Sequence, residues 1–96
     1  MPRAIVLNAA DNVATLLADG QAGQGCSLEG EASGELPLAQ AVGFGHKVAL
    51  SDIAAGQKVI KYGAPIGSAT QAITSGQHVH VHNLTSHYGI AEPEAR

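Results

Sequence analysis

Apolar residues in this chain come in short bursts broken by glycine, without the three-and-four spacing that marks a long amphipathic helix. Ala4-Ile5-Val6-Leu7 predicts a first strand, closed by Asp11-Asn12 as turn or helix-cap residues. Val13 to Ala18 reads as one or two helical turns, and Leu36 to Val42, with Pro37 near its start, as one more. Between them Gly20, Gly23, Gly25, Gly30 and Gly34 favour short extended pieces joined by turns. Val48-Ala49-Leu50, Val59-Ile60 and Val79-His80-Val81 follow as strand-like runs separated by glycine and proline. The expected fold is mainly β, a compact module of short strands with one or two short helical turns. It forms a single domain over residues 1–90, and residues 91–96 are a frayed tail.

A repeat organises the second half. Ile53-Ala-Ala-Gly56-Gln57-Lys58-Val59 returns as Ile73-Thr-Ser-Gly76-Gln77-His78-Val79. In each copy the Ile is expected to tuck under a turn, the Gly to take a backbone conformation awkward for other residues, and the Val to enter the core. A degraded copy runs from Asp19 to Cys26 through Gly23-Gln24, with Gly20 standing in for the Ile.

Composition narrows what such a module can be. The chain has 96 residues, no Trp, one Phe and two Tyr, so a thin aliphatic core is expected, one that gains from a partner surface. A formal net charge of −3 with five Lys and Arg argues against a phosphate-backbone partner, so nucleic acid is not expected. No basic amphipathic face or long apolar run suggests a membrane, and Asn8, Asp11 and Asn12 cut the opening apolar run too soon for a secretory leader. The single Cys26 cannot pair internally, which fits a reducing compartment and a cytoplasmic protein; it reads as a half-buried strand residue.

The chemistry concentrates late in the chain, in His78-Val79-His80-Val81-His82-Asn83. In an extended strand, alternate residues share a face about 6.5–7 Å apart, which lines three imidazoles along one side and the valines along the other. A neighbouring pair, His78 and His80, could converge on a metal. Three on one ion would require a strong bend or other ligands, so no metal is expected on this chain alone. The competing reading is a solvated face that happens to be rich in imidazole. His46-Lys47, after Gly43-Phe44-Gly45, and Lys61-Tyr62-Gly63 set further polar groups beside glycine, where each lysine could anchor a carboxylate or simply sit exposed on a loop. No P-loop and no Gly-x-Ser-x-Gly elbow is present.

The run from Gly45-His46-Lys47 through Asp52, Gly56, Lys61-Tyr62-Gly63 and Gly67, closing with Gly76-Gln77-His78-Val79-His80-Val81-His82-Asn83, resembles the N-terminal domain of altronate and galactarate dehydratases. Asp11-Asn12-Val13-Ala14 is similar to the opening of that family. The resemblance implies an SAF-type β-clip fold, found either fused to a large catalytic region or as a separate small subunit, as in sulfolactate sulfo-lyase. It implies a lyase that removes water from an aldonic or aldaric acid, active only with a large catalytic dehydratase subunit as partner. A divalent metal, iron or manganese, would be held mainly by that partner. On this reading His80 and His82 are catalytic, while His46, Lys47, Lys61, Tyr62, His78 and Asn83 bind the sugar-acid substrate; self-association into a homo-oligomer is compatible with it. Two rivals stand beside it: a carbohydrate-binding or assembly module without catalytic duty, and a metal-binding protein built on the alternating imidazoles.

Overall fold

The computed structural model describes residues 1–86. Nine strands run in order: β1 (Arg3–Val6), β2 (Val13–Leu16), β3 (Gly25–Gly30), β4 (Glu35–Pro37), β5 (Lys47–Ala49), β6 (Lys58–Lys61), β7 (Ala64–Ala69), β8 (His78–Val79) and β9 (Leu84–Ser86). The described residues are mainly β and contain no helix, so the expected helical turns are corrected. Val13 to Leu16 is β2, whose backbone is satisfied on both sides by antiparallel partners, β1 and β5. Val13, Ala14 and Leu16 are all buried there, and a lone helical turn could not hide both faces. In the second segment Leu36 is buried between exposed Glu35 and Pro37 in β4, an edge strand where proline costs no ladder bond. The expected tail at 91–96 lies outside the described residues.

One sheet has the order β4-β3-β1-β2-β5-β8, and the other has β6-β7-β9. The apolar residues separate into two clusters. Ala4, Val6, Ala14, Leu16, Cys26, Leu36, Leu38, Val42 and Val48 make the first, and Val13, Ala49, Ile53, Val59, Ala69, Ile73 and Val79 the second. β2 and β5 form the wall between them: Ala14 and Val48 face one cluster, Val13 and Ala49 the other. Cys26 lies wholly inside the first cluster and not half-buried as the sequence suggested.

The repeat is more extensive than the sequence reading found. Ile53 and Ile73 are buried and bridge each other, with N–H···O=C distances of 2.7 and 2.8 Å. Gly20 and Val42 form the same reciprocal bridge, at 2.8 and 3.0 Å. Behind each of these four residues comes the same turn, carrying a glycine with positive φ at 23, 45, 56 or 76. Each of those glycines donates its N–H to a backbone carbonyl: Leu38, Leu16, Ala69 and Ala49 respectively. The degraded copy is therefore real, and a fourth copy runs from Val42 through Gly45-His46 to Val48. In three copies a glutamine follows the glycine and folds its Oε1 back onto the turn, accepting from the N–H of Gln21, Ala54 or Thr74 at 2.7–2.8 Å. In the fourth copy that position is His46.

Candidate functional site: an imidazole cluster

His46 is the residue at which the repeated turn departs from its own pattern, and its ring makes a different contact. β5 and β8 pair antiparallel with Lys47 opposite Val79 and Val48 opposite His78, and one further step of that register places His46 opposite His80. His46 Nδ1 lies 2.8 Å from His78 Nε2. The ring centroids of His46 are 4.9 Å from those of both His78 and His80, and His78 stacks on His80 at 5.4 Å with planes 12° apart. One ring nitrogen from each of the three lies within 4.8 Å of the others. The exposed His82 joins at the rim, 5.3 Å from His78.

The expected ladder of three imidazoles along one straight strand is not what brings them together. β8 ends at Val79, and residues 80–83 turn, with Asn83 N–H donating to His80 C=O at 3.0 Å. The Asn83 side chain, 3% exposed, locks this turn: its Oδ1 accepts from His80 N–H and its Nδ2 donates to His78 C=O, both at 2.9 Å. Each end of the Asn83 amide is thus bonded to backbone. Val81, expected to share the face of Val79 opposite the imidazoles, is 80% exposed because the turn carries it off the strand. Upstream, Gln40 Oε1 accepts from His78 N–H at 3.1 Å and fixes the start of β8.

Lys47 sits on the face of β5 opposite His46, half-buried beside the second cluster. Burial, and then the nearby Lys61 charge, push its pKa down. Lys61 Nζ lies 4.9 Å from the centre of the Tyr62 ring, a cation–π contact. Tyr62 is exposed and has φ 59°, and with Gly63 at 72° it makes the β6–β7 turn. Left-handed backbone at a tyrosine is unfavourable by about 1 kcal/mol. Here Asp11 holds it, its carboxylate accepting from Tyr62 N–H at 3.2 Å, Gly63 N–H at 2.8 Å and Asn8 N–H at 3.1 Å. Asp11-Asn12, read from sequence as a turn or cap, thus clamp the far hairpin, and Asn12 adds an Oδ1 bond to Ile60 N–H at 2.7 Å.

The electrostatics have one sign. Burial first, then the neighbouring His46, His80, His82 and Lys47, push the His78 pKa down to about 4. His80 is lowered by burial, His46, Lys47 and His82. Among the described residues no carboxylate contributes to the shifts of His78, His80 or Lys47, and the one side-chain ion pair, Arg3 with Glu29 at 3.1 Å, lies elsewhere. Such a cluster favours an anion, or a metal that needs neutral imidazole ligands. Two apolar side chains stand exposed near its members in sequence, Phe44 two residues before His46 and Val81 between His80 and His82; Tyr62, beside Lys61, is also exposed. A shallow groove lined by Asp19, Gly20, Gln21, Ala41, Val42 and Gly43 contains none of the imidazoles and offers no comparable chemistry.

Residues 2–87 match the altronate/galactarate dehydratase SAF domain. The chain belongs to that family. Its SAF domain is 49% identical over 79 residues to the altronate dehydratase of Escherichia coli (strain K12) and 38% identical over 79 residues to that of Bacillus subtilis (strain 168). Each match covers 82% of this chain and 15% of the relative, so the chain spans about one seventh of those enzymes. It is also 37% identical over 84 residues to the (2R)-sulfolactate sulfo-lyase subunit alpha of Chromohalobacter salexigens, covering 83% of this chain and 89% of that subunit. Among the described residues no helix is long and apolar enough to cross a membrane.

Proposed function

We propose that this SAF domain supplies part of the substrate site of a sugar-acid dehydratase, its imidazole cluster facing a pocket that a larger catalytic polypeptide completes in the cytoplasm. The observation that carries the reading is the convergence of His46, His78, His80 and His82, with Lys47 near enough to act on His78 and His80 and no carboxylate contributing to the shifts of those two rings. Loss of water from an aldonic or aldaric acid removes a proton beside a carboxylate and expels a β-hydroxyl, so the site needs a base, an acid and something to hold the carboxylate. His80 and His82 are the proton-handling groups, and Lys47 and Lys61 hold the substrate's negative charge. A divalent metal in the assembled enzyme would stabilise the charge that builds on the carboxylate. The exposed Phe44 and Val81 support a covered position for this face, since exposed apolar groups beside a polar cluster suit a contact surface.

The test is reconstitution. The isolated chain is expected to show little turnover of altronate or galactarate, and its complex with a large dehydratase subunit to restore it. In that complex His80→Ala and His82→Ala should each lower kcat by about 100-fold or more while leaving assembly intact. Full activity of the isolated chain, or variants that alter assembly alone, would reject the reading. A second reading, sulfite elimination from sulfolactate, is favoured by the near full-length match to a sulfo-lyase subunit alpha; sulfite release by the same complex distinguishes the two.

A further inference from the structure

We infer that His46, His78 and His80 form a three-histidine site for one divalent transition-metal ion, carried by this domain itself. A strand of alternating histidines cannot focus three rings on one point. The structure supplies the two missing elements: a turn after Val79 that folds His80 back over His78, and a ring from the adjacent strand. A tetrahedral ion with bonds near 2.0–2.1 Å separates its nitrogen ligands by about 3.3 Å. The three nitrogens already lie within 4.8 Å of one another, one pair at 2.8 Å, so small rotations of the rings reach that spacing. A shared proton accounts for the His46–His78 contact but not for the third ring.

Each ligand is held through its own backbone. His46 C=O accepts from Leu16 N–H at 2.9 Å, His78 N–H donates to Gln40, and His80 N–H donates to Asn83. The turn's usual glutamine has given way to histidine at position 46 alone among the four copies, which forgoes a bond of 2.7–2.8 Å that the other three copies make. An all-imidazole set suits zinc, copper, nickel or ferrous iron better than manganese. Three protein ligands leave at least one position open, the pattern of a site that takes water or substrate and not of a closed structural one. If the dehydratase reading holds, that position takes a carboxylate or hydroxyl oxygen of the sugar acid, His80 serves as a ligand and proton transfer falls to His82, with Lys47 adding attraction.

The test uses the chain itself. Titration of the metal-stripped protein with Zn2+ by calorimetry, and with Co2+ by visible absorption, should show one ion per chain and the intense bands of a low-coordinate cobalt site. His46→Gln restores the repeat's own turn residue and should fold at least as well, with unchanged circular dichroism, yet bind more than about 100-fold more weakly, since even loss of a supporting partner costs 10–100-fold. His82→Ala should bind within about threefold of the parent. Absence of one-to-one uptake, or His46→Gln binding as tightly as the parent, overturns the proposal. Uptake that fails while His80→Ala still lowers turnover in the complex removes the metal and leaves the dehydratase reading; uptake that holds while turnover ignores His80 does the reverse.

Discussion

Asn83→Ala separates a residue that holds the site from one that touches substrate. The side chain makes two hydrogen bonds, to His80 N–H and His78 C=O, in a position 3% exposed to solvent. Each is worth about 1 kcal/mol net, and the backbone groups left behind are only partly reachable by water, which adds about 1 kcal/mol more. The expected loss is about 3 kcal/mol, corresponding to a fall in Tm of roughly 12–24 °C for a domain of this size. Urea and thermal unfolding followed by circular dichroism measure it, and imidazole NMR signals of His78 and His80 report the turn directly. Those signals should shift toward free histidine as the 80–83 turn loosens. A variant that unfolds within 0.5 kcal/mol of the parent, keeps its imidazole signals and raises only KM in the assembled enzyme would show that Asn83 binds substrate and that the turn holds itself.

Four further outcomes follow. His46→Gln should gain the backbone bond that Gln24, Gln57 and Gln77 make, raising stability by about 1 kcal/mol in thermal unfolding; a lower Tm would refute the equivalence of the four turns. Tyr62→Asn relieves left-handed strain at φ 59° and should stabilise the domain by about 1 kcal/mol, while weakening association with the large subunit in a pull-down or calorimetric titration. Asp11→Ala removes three accepted hydrogen bonds and should cost about 3 kcal/mol, with faster amide exchange at Tyr62 and Gly63. In chelator-treated protein the His78 pKa, depressed from 6.5 to about 4, makes folding favour the neutral ring: its contribution is complete above about pH 6.5 and lost as pH falls toward 4. The full displacement corresponds to about 3 kcal/mol, and partial exposure of the ring reduces that to roughly half. Tm measured against pH should flatten over that window in His78→Gln.

The strands were legible where β-branched residues cluster, as at Ile5-Val6, Val48 and Val59-Ile60. They were obscured where a short apolar run is compatible with a helical turn. Val13 to Leu16 reads either way in isolation, and only pairing with both β1 and β5 decides it. The glycine-glutamine repeat was readable because its turn uses side-chain-to-backbone bonds local in sequence. Its fourth copy escaped because His46 replaces the marker residue, although Val42, Gly45 and Val48 keep the spacing. The histidines were visible as candidates, but their convergence was not: alternation says where a strand would point its side chains and nothing about where the strand stops. Asn83, three residues after His80, is the local signal of that stop, since an Asn amide readily closes such a turn. Its partner across the strands, His46, could be matched to His80 only once the β5–β8 register was known.

The wall formed by β2 and β5 has a mechanical consequence. His46 immediately precedes a strand whose successive residues Val48 and Ala49 are each anchored in a different apolar cluster, so its backbone cannot shift by loosening one side of the molecule. Local breathing at β5 would have to breach both reservoirs of packing at once, which makes its amides among the slowest to exchange and the His46 backbone a fixed datum. Accommodation of an incoming molecule therefore falls to rotation of the imidazoles about their own side-chain bonds, above a scaffold that both packing reservoirs hold still.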